Sequence, residues 1–122
     1  MEFPVDIWLR GNNHATTAMI APVAAEPKAW TEADVTRVLI GMLRAIAHAK
    51  DPMAPADAPV GLRGFSWIVN PFESGGVVIA LEMTLGAVIA GPFDIAERDL
   101  TSMVSRVVAA ERAAPRGAET VH

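Results

Sequence analysis

The chain has 122 residues, 52% of them hydrophobic, with a net charge of -4 and no cysteine. That length suits one domain with a real core. The hydrophobic share and the modest charge exclude intrinsic disorder. Zero cysteine excludes disulfides, thiolate metal sites and cysteine nucleophiles together. No segment is strongly basic, which argues against a phosphate-backbone interface with nucleic acid and against anionic lipid.

Residues 3–10 alternate cleanly. Phe3, Val5, Ile7 and Leu9 point one way, and Pro4, Asp6, Trp8 and Arg10 the other, the period of a half-buried strand. Gly11-Asn12-Asn13 supplies residues suited to a turn, and residues 14–21 resume a weaker alternation. The reading is a β-hairpin. A three-residue loop would pair Arg10 with His14, Trp8 with Thr16 and Asp6 with Ala18.

An alanine- and proline-rich connector spans 22–30. Thr31 then reads as a helix N-cap with Asp34 closing a short capping box, and Trp30 and Val35 have the spacing of a hydrophobic staple. Val35, Val38, Leu39, Met42, Leu43 and Ile46 fall on one helical face, with Arg37, Arg44 and His48 opposite. Gly41 in this helix costs about 1 kcal/mol relative to alanine, which predicts a close backbone contact. Prolines 52, 55 and 59 make 51–62 an extended loop.

Residues 64–70 alternate again, with Phe65, Trp67 and Val69 on one side. Pro71 to Gly76 form a turn, and Glu73-Ser74-Gly75-Gly76 has no lysine or helix after it to make a phosphate loop. Val77 to Met83 is rich in β-branched residues. Gly86 marks a possible second tight turn, giving strands near 77–84 and 87–91, with one long bent strand as the alternative. The apolar run from Val77 to Phe93 is 17 residues, at the lower limit for a membrane span, and Glu82, Gly86, Gly91 and Pro92 argue against that use. A last helix covers about 95–112, with Asp94 as N-cap and Glu97 three residues later.

The fold class is α+β: an antiparallel sheet of four or five strands with two helices on one face, in the order ββα-ββ(β)α. Residues 1–112 form a single domain and 113–122 a flexible tail. The start of the chain lacks a basic and apolar leader pattern, so cytoplasmic residence is the expectation.

Residues 64–93 carry only two formal charges, Glu73 and Glu82. An antiparallel sheet with one wet face should be polar at every second position. Here Val77, Ile79, Leu81 and Met83 form one apolar row, Val78, Ala80, Glu82 and Thr84 form the other, and Val88 and Ile89 fill both sides of the next segment. Two helices cover one face, so something else covers the second: the loops 22–30 and 51–62, or a subunit interface. The expected interface residues are Val78, Ile79, Leu81, Glu82, Val88 and Ile89.

Catalytic motifs are absent, and no His or carboxylate spacing suggests a metal. The expected function is therefore non-catalytic: a small interaction module that self-associates or docks on a protein through this apolar strand surface, with no cofactor. The alternative is a small-molecule binder or hydrolase, with Asp6, Trp8, Arg10 and His14 sharing a hairpin face in a cleft at a subunit interface. Glu82 needs either a strand end or an arginine such as Arg63 beside it.

Overall fold

The computed structural model describes residues 1–56 and 59–113. Eight elements follow in order: β1 (Phe3–Leu9), β2 (Thr16–Ile20), a short 3-10 turn (Pro27–Ala29), α1 (Glu32–Lys50), β3 (Phe65–Pro71), β4 (Val77–Met83), β5 (Gly86–Phe93) and α2 (Glu97–Ala113). The five strands form one sheet in the order β2-β1-β5-β4-β3. Every pairing is antiparallel. The fold is α+β, and the tail residues 114–122 lie outside the described residues.

Local chemistry sets the elements. Thr31 accepts from the Asp34 backbone N–H at 3.3 Å, and the Asp34 carboxylate accepts from the Thr31 N–H at 3.0 Å. This capping box starts α1, whose apolar face Val35, Val38, Leu39, Met42, Leu43 and Ile46 is buried. The helix backbone at Gly41 lies close to Ile20 and Pro22: a β-carbon there would meet both at 3.2 Å. The contact that the glycine implied is therefore present.

The α2 start differs from the sequence expectation. Leu100 N–H donates to the Ala96 carbonyl at 3.1 Å, which makes Ala96 the capping position. Asp94 instead pairs with Lys28 at 3.3 Å. Phe93 explains the offset: it is fully buried, with edge contacts to Phe3 and Trp30 at 4.9 Å each. Anchoring Phe93 holds the chain in strand geometry until the core is filled, and the helix begins only after Ile95.

The residues from 77 to 93 form two strands joined at Thr84-Leu85, with Met83 paired to Gly86. β5 then inserts between β4 and β1, so strands far apart in sequence form the centre of the sheet. No helix among the described residues is long and apolar enough to cross a membrane.

Both helices pack on one sheet face. The core there includes Val5 and Ile7 of β1, Phe65 and Val69 of β3, Ile79 and Leu81 of β4 and Val88 and Ala90 of β5, closed by Leu39, Met42, Leu100 and Val104 from the helices. Among the described residues, none from either connector lines the depression on the back of the sheet. Trp30 of the first packs on Phe93 and donates its indole N–H to the Ala25 carbonyl at 2.9 Å. Leu62 of the second is buried in the core and lines a groove with Thr36 of α1 and Val107 of α2.

Candidate interaction surface

The free face of the sheet is built by strand alternation. Residues 4, 6 and 8 of β1, 17 and 19 of β2, 66, 68 and 70 of β3, 78, 80 and 82 of β4, and 87 and 89 of β5 point away from the helices. The pairing aligns them in rows. One row runs Ile68–Ala80–Ile89–Asp6–Thr17, and the next runs Ser66–Glu82–Ala87–Trp8.

The centre of this face is apolar. Ile68 is 50% exposed, Met19 54% and Trp8 36%. Val78, Ala80, Ala87 and Ile89 are half-buried only by their neighbours on the sheet. Small residues beside large ones leave a shallow depression of about 350 Å³, lined by Ser66, Ile68, Ala80, Glu82, Ala87 and Ile89 among others. No described residue outside the sheet lies over it. An uncovered apolar sheet centre is unusual on a monomer, where single exposed apolar residues are the rule.

The structure divides the six residues expected at the interface. Val78, Glu82 and Ile89 lie on the free face. Ile79, Leu81 and Val88 do not: they face the helices at 0%, 1% and 0% exposure. Their assignment to an interface is corrected: the helices cover one face of the sheet, and the pairing Leu81–Val88 puts these residues on that face together with Ile79. Ile68 and Ala80 complete the patch. Both were within reach of the sequence, since the alternation of 64–70 already set Ile68 opposite Phe65 and Val69.

Glu82 has no ion-pair partner among the described residues. Arg63 goes elsewhere: it donates to the Glu111 carbonyl at 2.6 Å and lies 3.9 Å from the Glu111 carboxylate. Glu82 is exposed, at the end of the apolar patch.

The hairpin residues Asp6, Trp8, Arg10 and His14 do not form a joint site. The β1–β2 register is one residue away from the expected one: Asp6 pairs with Thr17, and Ile7 with Thr16. Such a slip exchanges the faces of a strand. It turns Ala18 and Ile20 toward the core and sets Thr17 and Met19 on the free face. The Asp6 carboxylate accepts from the Thr17 hydroxyl at 2.7 Å. The Arg10 guanidinium donates to the carbonyls of Thr84 at 2.9 Å and Met83 at 3.4 Å, fastening β1 to the β4–β5 turn. His14 is exposed in the hairpin loop. None of Asp6, Arg10 and His14 lines the depression on the free face.

No group of three or more His, Cys, Asp or Glu among the described residues is placed to hold a metal ion. The chain matches no family model, no curated protein and no solved structure.

Proposed function

We propose that this chain is a non-catalytic protein-interaction module whose contact surface is the free face of its sheet. The observation that carries this reading is the continuous apolar strip Ile68–Ala80–Ile89 across three strands, which nothing in the described chain covers. A sheet face of that composition stays in water only at a cost of about 25 cal/mol per Å² of apolar area. A cysteine-free chain needs no oxidising compartment to fold, and we place its work in the cytoplasm.

The absence of cysteine gives a clean test. Ala80→Cys puts a unique thiol on the free face, and Ser105→Cys puts one on the exposed side of α2. In dilute pure protein both thiols should react rapidly with a maleimide. In concentrated extract of the producing cells, with the chain at about 100 μM, the thiol at 80 should be protected at least threefold while that at 105 is unchanged. Equal reactivity at the two positions in extract would overturn the docking reading.

A further inference from the structure

We infer that the partner on this face is a second copy of the chain, packed sheet against sheet about a two-fold axis that runs between β4 and β5. The inference rests on the docking reading and names its occupant. Three observations select this arrangement.

The first is fit. Two sheets in face-to-face packing lie about 10 Å apart with interdigitating side chains, so large residues must meet small ones. An axis along the β4–β5 seam exchanges β4 with β5 and β3 with β1 while keeping position along the strands. Given the observed rows, Ile89 of each copy then sits over Ala80 of the other, and Trp8 sits over Ser66. Both meetings set a large side chain on a small one.

The second is charge. Asp6 and Glu82 are the only acidic side chains in the two central rows, which hold no basic one. The seam axis sets Asp6 against Ile68, on its rim side, and Glu82 against Ala87 at the exposed end of the patch. No carboxylate meets its own copy. The other simple axis, along the row Ile68–Ala80–Ile89–Asp6, would stack Asp6 on Asp6 and is disfavoured by like-charge repulsion.

The third is area. The seam axis overlaps β3, β4, β5 and β1. At about 4.8 Å per strand and 3.4 Å per residue, that is roughly 450 Å² per copy in projection. Side-chain relief raises the pair to about 1,000 Å² or more, the lower end for a specific interface. The assembly should therefore be reversible, with half-association in the micromolar range.

The test has two arms. Light scattering on pure wild-type chain across a dilution series should show the mass doubling between about 1 and 100 μM. Ile89→Asp should weaken that association at least 30-fold, the effect of losing a central contact residue. A second measurement does not depend on a charged variant folding. Asp6→Cys and Ile68→Cys chains, treated with a bismaleimide spanning about 10 Å, should cross-link more efficiently when mixed than either does alone, since the seam axis sets residue 6 over residue 68 but holds each thiol about 17 Å from its own copy. A chain that stays monomeric to 100 μM would overturn the second-copy inference. A dimer whose mixed cross-linking is no better than that of the separate variants would overturn the axis. If the pure chain is monomeric but its thiol at 80 is protected in extract, the docking reading stands with a different occupant. If that thiol is open in extract as well, both readings fail.

Discussion

Gly86 opens β5 with φ at +146°, and a β-carbon built there would collide with the Trp8 carbonyl oxygen of β1. The residue meets two demands that only glycine satisfies: a backbone conformation closed to L side chains, and contact with a neighbouring strand's backbone. Gly86→Ala should lower stability by more than about 2 kcal/mol in urea unfolding, since the strain alone is of order 1–3 kcal/mol and the clash adds to it. Gly11 is the control. Its φ is +94°, yet no atom lies within 4 Å of its would-be β-carbon. Gly11→Ala should cost only about 1 kcal/mol, the strain without the clash. If the two losses were equal, close approach of β1 would not be what demands Gly86. The sequence pointed to a turn at Gly86 but not to Trp8, because the collision is between residues 78 positions apart.

At the scale of elements, local signals and distant ones separate. The capping box at Thr31 and Asp34 was legible because its parts lie three residues apart, and Thr31→Ala should cost about 1 kcal/mol in thermal or urea unfolding. The α2 start was not legible in the same way. Asp94 and Glu97 have capping-box spacing, but burial of Phe93 keeps β5 running to that residue, and the chain bends at Asp94 and Ile95 before the helix starts. The hairpin register failed for a related reason. Loop length alone favoured pairing Asp6 with Ala18. The observed pairing buries Ile20 beside Gly41 and lets Thr17 bond Asp6. Tertiary contacts on both faces of β2 outweigh the turn.

For the whole molecule, the two faces of the sheet should respond oppositely to substitution. Phe93 is fully buried between Phe3 and Trp30, and Phe93→Ala should cost about 3–5 kcal/mol of stability. Ile68 is half exposed on the free face, so Ile68→Asp should change the unfolding free energy of dilute protein by less than about 1 kcal/mol. Measuring both variants by urea unfolding at submicromolar concentration separates core from contact surface. A large loss for Ile68→Asp in dilute protein would mean that this face is part of the monomer's own core.

The sequence by itself determined the α+β class, the two helices and the buried stripe of the first, the strand segments, and an excess of apolar residues between 64 and 93. Each of these is written in spacing over a few residues. The tertiary structure alone decided that β5 lies between β4 and β1, that Trp30 and Leu62 of the connectors join the core, and that Ile79, Leu81 and Val88 go inward while Ile68, Ala80 and Ile89 go outward. Period two tells which side chains share a face of a strand. Which face the helices cover depends on pairings between distant segments, and no local pattern records that choice.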